Sequence, residues 1–231
     1  MTPPRLRKTV RLLVLTILTS LLPILSVQAQ EPDGILARLQ PIVTYGGTAN
    51  RDLEVWKREI ADYALRHYGV LTHENRPARI ILHYTATEGF PLNLLESRDF
   101  AGERPGLASH FVVEEREGEV HFHQLLPLEV MGRAAFGANL DAVSIELVAR
   151  NEEELLAKPR LLDAAAALVK ELMAAYGIGN DEVWGHSEVD AALAAASGGP
   201  FYDHTIQGVF VPRKIDPGER VMAYFRERLA P

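Results

Sequence analysis

An α/β domain is predicted over residues 76–231, because short β-branched runs alternate with stretches whose apolar residues recur at helical spacing. The run at 79–84 (R-I-I-L-H-Y) follows Pro77 and reads as a strand, and the run at 143–149 (V-S-I-E-L-V-A) alternates as a half-buried strand does. Leu161, Leu162, Ala165, Leu168, Leu172 and Ala175 trace one face of a helix over 161–176, with Gly177 placed to end it.

Taken from the N-terminus, the chain first presents a basic segment (Arg5, Arg7, Lys8, Arg11), an almost wholly apolar run at 12–25 and Val27-Gln28-Ala29. That order reads as a secretory signal peptide over residues 1–29, cut before Gln30. The apolar run falls short of the ~20 residues that span a bilayer, and Pro23 interrupts it, so no stable membrane insertion is expected after cleavage. Residues 30–75 form an N-terminal extension with one helix. Its first part (30–50) is polar, broken by Pro32, Pro41, Gly46 and Gly47, and reads as an exposed lead-in. Over 53–68, Leu53, Trp56, Ile60, Tyr63 and Leu65 follow a helical period that Gly69 is placed to stop.

Beyond the strand at 79–84, residues 110–115 and 119–125 flank Arg116-Glu117-Gly118 as a β-hairpin. Val183 and Trp184 make a short strand leading into Gly185-His186, and 188–212 is a long insertion rich in small residues. A last helix is expected over 217–229, with Met222, Phe225 and Leu229 on one face. There are no cysteines, so no disulfide supports the fold. Without the leader the chain carries 20 basic and 31 acidic side chains, net −11, which argues against a nucleic-acid partner.

Three distant segments read together as one metal site: His83 in I-I-L-H-Y-T-A-T, His186 in V-W-G-H-S and Asp216 in R-K-I-D-P-G. Two imidazoles and a carboxylate leave one position of a four-coordinate Zn²⁺ open for water, as in catalytic zinc sites. Each residue alone has a plainer explanation. A strand-end histidine is more often structural than a ligand, and Asp216-Pro217-Gly218-Glu219 is a good helix start with an aspartate N-cap. Glu146 shares a strand face with Ser144 and Val148, and a carboxylate there is costly unless paired. It is either one half of a salt bridge across the sheet or a general base.

From about residue 79 to 218 the chain resembles the zinc-dependent N-acetylmuramoyl-L-alanine amidases of the type-2 amidase and peptidoglycan recognition protein superfamily. The matching pieces are I-L-H-Y-T-A-T, A-S-H-F-V-V, Q-L-L-P-L-E-V, V-S-I-E-L-V, V-W-G-H-S and K-I-D-P-G, in the family's order. The resemblance implies a central mixed β-sheet flanked by helices, with one Zn²⁺ per chain in a surface cleft. It makes His83, His186 and Asp216 the ligands, Glu146 the catalytic glutamate and Lys214 the residue facing the developing oxyanion. Tyr84, Thr85, His110 and His204 are the candidate substrate contacts. The implied activity is hydrolysis of the amide between the lactyl group of N-acetylmuramic acid and the L-alanine of a stem peptide. Peptidoglycan or muropeptide fragments are thus the partners, and the leader implies a periplasmic or secreted protein.

Three departures from the family pattern stand out. Gly132-Arg133-Ala134-Ala135-Phe136-Gly137 replaces a tryptophan–histidine–alanine–glycine stretch, His121 and His123 are additional, and His186 to Asp216 spans 30 residues. His121 and His123 have metal-pair spacing but lack an evident third ligand. The alternative to an enzyme is a non-catalytic module that binds peptidoglycan on the same fold. Competent residues at all three ligand positions favour the enzyme.

Overall fold

The computed structural model describes residues 52–91, 97–197 and 214–230, together with short strands at 42–44, 205–206 and 209–210. The signal peptide expected over 1–29, and His204, lie outside the described residues.

A six-stranded mixed sheet runs in the order β1-β4-β3-β5-β2-β6. Its strands are β1 (Ile42–Thr44), β2 (Arg79–Tyr84), β3 (Phe111–Arg116), β4 (Glu119–Gln124), β5 (Ala142–Leu147) and β6 (Val183–Gly185). The pairs β1/β4, β3/β5, β5/β2 and β2/β6 are parallel, and the β3–β4 hairpin is antiparallel. A separate ladder joins β7 (Thr205–Ile206) to β8 (Val209–Phe210).

Strand alternation gives the sheet two unlike faces. Ile80, Leu82, Phe111, Val113, Val143, Ile145 and Leu147 point into the main core. There they meet Leu161, Leu168 and Leu172 of α3 (Pro159–Tyr176) and Val221, Met222 and Phe225 of α5 (Glu219–Leu229). Short α2 (Glu152–Leu156) adds Leu155 to the same core. Across the sheet, Ile81 packs with Val189 and Leu193 of α4 (Val189–Ser197).

The helix of the N-terminal extension, α1 (Leu53–Tyr68), packs on the sheet domain itself. Its Trp56, Ile60, Tyr63 and Ala64 are buried with Ala108, Leu126, Val130 and Met131, and Trp56 Nε1 donates to the Met131 carbonyl at 3.0 Å. Both ends are locally encoded. Asp52 Oδ1 accepts the amides of Glu54 and Val55 at 2.8 and 3.1 Å, and Gly69 ends the helix at φ 73°.

The structure adds to or departs from the sequence reading in four places. The insertion at 188–212, read only as rich in small residues, carries α4 and the β7–β8 ladder, and its alanines favour the helix. The lead-in contains β1, which is too short at three residues to show a period. The glutamate run at 152–154 starts a helix, capped by Asn151, that the apolar pattern does not reveal. Finally, α5 begins at Glu219 and not at 217, because Gly218 sits at φ 90°, outside helical space.

Phe225 is fully buried where α5 meets the sheet. Phe225→Ala is expected to cost about 3–5 kcal/mol, read as a lower urea midpoint at an unchanged denaturant slope.

Candidate active site

Parallel pairing brings the C-terminal ends of β5, β2 and β6 to one edge of the sheet, where α/β folds place ligands. His83 is the penultimate residue of β2 and Glu146 that of β5, and the register sets them side by side. With Leu82 and Ile145 committed to the core, both polar side chains must face the opposite side. Leu82 is in register with Gly185, so His186, the next residue, emerges beside His83. Their ring centroids are 4.5 Å apart.

Asp216 completes the group from the other side of the chain. Ser187 N–H donates to the Asp216 carbonyl at 2.7 Å, tying the loop to the turn that carries His186. Gly185 makes this approach possible, since a Cβ there would lie 2.9 Å from Pro217 Cδ and 3.0 Å from Met222 Cγ. Asp216 Oδ2 is 3.3 Å from His83 Nδ1 and 3.4 Å from His186 Nδ1. Charge-assisted hydrogen bonds are shorter, about 2.7–2.9 Å. Two donors each about 2.0–2.1 Å from a tetrahedral ion lie roughly 3.3–3.4 Å apart. The observed spacing therefore suits ligands of one cation better than a hydrogen-bonded pair. Among the described residues, this is the one group of three or more His, Asp or Glu side chains gathered closely enough to hold a metal ion.

The electrostatics point the same way. Burial opposes ionisation of Asp216, but close contact with His186 and His83 and their charge outweigh it and hold the carboxyl far below its usual range. Burial opposes the charged form of His83, but the Asp216 hydrogen bond and the Glu146 charge overcome it and raise its pKa. Burial and the charge of His83 push His186 down to about 4. Burial raises Glu146, and Glu146 Oε2 and His83 Nε2 are both shielded from water with no hydrogen-bond partner among the described residues. An ionised Asp216 carboxylate beside two imidazoles is the kind of donor set that a divalent cation such as Zn²⁺ takes.

These residues open onto a cleft of about 370 Å³, ample for a small ligand. Tyr84, Thr85 and Lys214 line it. Thr85 is nearly buried, and its hydroxyl oxygen accepts the Ala149 amide at 3.3 Å, so it also fastens the end of β2 to the chain after β5. His110 does not reach the cleft. It is 1 % exposed, its Nδ1 accepts the Ser144 amide at 3.1 Å and its Nε2 donates to the Val130 carbonyl at 3.0 Å. The assignment of His110 as a substrate contact is corrected to a brace behind β5, because both ring nitrogens are already used.

The replaced stretch at 132–137 supplies a wall that the sequence left unassigned. Arg133 is buried in it and donates to the Glu103 carbonyl at 3.1 Å, the Glu103 carboxylate at 3.2 Å and the Pro105 carbonyl. Its guanidinium lies 4.6 Å from the centre of the Tyr63 ring, and Tyr63, Phe100 and Phe136 line the same wall. A lone arginine among small residues was the available signal, but its partner Glu103 is 30 positions away. His121 and His123 lie elsewhere on the sheet, where His123 Nε2 is 3.4 Å from Glu114.

Residues 73–219 match the model of the Amidase_2 family, N-acetylmuramoyl-L-alanine amidase. Among solved structures, the chain is similar to the endolysin N-acetylmuramoyl-L-alanine amidase LysCS from Clostridium intestinale, with 22% identity, TM-score 0.48, and coverage of 65% of this chain and 84% of that one. A mutant endolysin from Bacillus subtilis is 20% identical, with TM-score 0.44 and coverage of 67% and 88%. The amidase AmiD from E. coli, solved with an anhydro-N-acetylmuramic acid tripeptide, is 22% identical, with TM-score 0.39 and coverage of 50% of each chain. No curated protein matches the chain.

The brace formed by His110 has a pH signature. Burial pulls its pKa down to about 4, below the ~6.5 of an unfolded histidine, so the unfolded chain takes the proton first. Its contribution is complete above pH ~6.5 and is lost as the pH falls towards ~4, an effect on the order of 3 kcal/mol. Urea midpoints of metal-free protein should therefore fall more steeply across this window for wild type than for His110→Gln. Equal slopes would show that His110 is not held neutral.

Proposed function

This chain belongs to the N-acetylmuramoyl-L-alanine amidase family, and on that premise we propose that His83, His186 and Asp216 hold one Zn²⁺ beside Glu146. The enzyme hydrolyses the amide between the lactyl group of N-acetylmuramic acid and the L-alanine of the peptidoglycan stem. The observation that carries the zinc reading is the spacing of 3.3 and 3.4 Å between one Asp216 oxygen and two imidazole nitrogens.

Bound Zn²⁺ supplies a Lewis acid for the scissile carbonyl and lowers the pKa of water. Glu146 sits one strand from His83, half-buried, with Oε2 free to take a proton. As general base it removes the proton from the attacking water, whose oxygen bonds to the carbonyl carbon. As general acid it returns that proton to the alanine nitrogen when the C–N bond breaks. Burial favours the protonated form of Glu146, which suits the second half of this cycle. Lys214 lines the cleft, and its ammonium offsets the negative charge that develops on the carbonyl oxygen. The mostly apolar wall of Tyr63, Phe100 and Phe136 excludes water from one side of the reacting bond.

Peptidoglycan or its muropeptide fragments are the partners in this proposal. The leader read in residues 1–29 supports a periplasmic or secreted location, where that substrate is found.

Incubating the protein lacking residues 1–29 with peptidoglycan should release stem peptides with a free N-terminal L-alanine, identified by mass. Chelation should abolish release and added Zn²⁺ should restore it; chelator-resistant release would refute the metal role. Glu146→Ala should retain bound zinc while losing about 10²–10⁴ in turnover. Asp216→Ala should instead lose zinc, as measured by metal content after desalting.

A further inference from the structure

We infer that Glu152 is a positioning residue for Asp216, an inference that rests on the zinc reading of the site. Asp216-Pro217-Gly218-Glu219 has the form of a self-capping helix start, yet the structure puts the N-cap at Gly218, which has no side chain to offer. The free amides of the first turn are satisfied from elsewhere. Arg220 N–H and Val221 N–H donate to Glu152 Oε1 at 2.9 and 3.2 Å. This is the work of an N-cap aspartate, done by a carboxylate 66 positions upstream of Gly218. The fit is close: Gly218 has φ 90°, and a Cβ on it would run into the Glu152 carboxylate.

Glu152 is itself fixed. It is the first residue of α2, whose own N-cap Asn151 Oδ1 accepts the Glu154 amide at 2.9 Å. Leu155 of α2 and Val221 of α5 share the main core. Helix α2 follows directly on the strand that carries Glu146, so the proposed base and the proposed ligand Asp216 are tied through Glu152. By capping α5 from outside, Glu152 leaves the Asp216 carboxylate to face His83 and His186. Without it, Asp216 is the nearest upstream carboxylate in its own segment, and capping competes with ligation for the same oxygens.

The test uses the protein lacking residues 1–29, stripped of metal and titrated with Zn²⁺ against a chromophoric chelator, with melting temperatures taken before and after loading. Glu152→Ala should bind Zn²⁺ about 10–100-fold more weakly, and the rise in melting temperature on loading should shrink. Glu152→Gln, which keeps an acceptor oxygen, should restore both. Should Glu152→Ala not fold, Glu152→Asp carries the same expectation, because it withdraws the oxygen by one methylene. A variant that melts lower without metal yet binds Zn²⁺ as tightly as wild type would overturn the inference and leave Glu152 a helix cap alone. Wild-type protein that takes up no zinc would overturn the underlying site reading instead, before any variant is compared.

Discussion

One carboxylate oxygen of Asp216 stands between two largely buried imidazoles, and the organisation of this edge of the sheet follows from keeping it there. An ionised carboxylate in a shielded position is expensive unless compensated. Here compensation comes from His83 on β2 and His186 just past β6, two adjacent parallel strands that end together. The third component arrives on a loop, pressed so close against β6 that a side chain at residue 185 would collide with Pro217 and Met222. Strand ends give the histidines a rigid base, and the loop gives the carboxylate its approach.

The supporting layer is built from groups that never enter the cleft. His110 uses both ring nitrogens to connect β5 with the segment around Val130. Arg133 gathers the carbonyls of Glu103 and Pro105 and covers Tyr63, which stiffens this wall of the cleft. Helix α1 stands behind that wall through Tyr63, so the chain before residue 75 helps to shape the cleft.

What the sequence made legible was local. Asp52 and Gly69 bracket α1, Gly177 ends α3, and the alternation around Glu146 assigns its face correctly. What stayed hidden depends on contacts between distant positions. Asp216 fits two sequence patterns at once, a helix cap and a metal ligand, and the amides that a cap would take are bonded to Glu152 instead. His110 was a candidate cleft residue because it lies in the A-S-H-F-V-V motif, whereas β3 starts one residue later and the ring is buried. In the 188–212 insertion, alanines spoke for a helix, but a run of small residues carries no amphipathic period to give its extent.

The pairing of His83 with Glu146 depends on the register between β2 and β5, and that register is set on the far side of the sheet. Side chains alternate with a period of two, so a slip of one residue would exchange Glu146 for Ile145 or Leu147 at the site. It would also push a carboxylate into the apolar layer formed by Leu161, Leu168 and Phe225. The core therefore works as a vernier for the chemistry. The hydrophobic penalty for misalignment is collected on one face, and the alignment it enforces is used on the other.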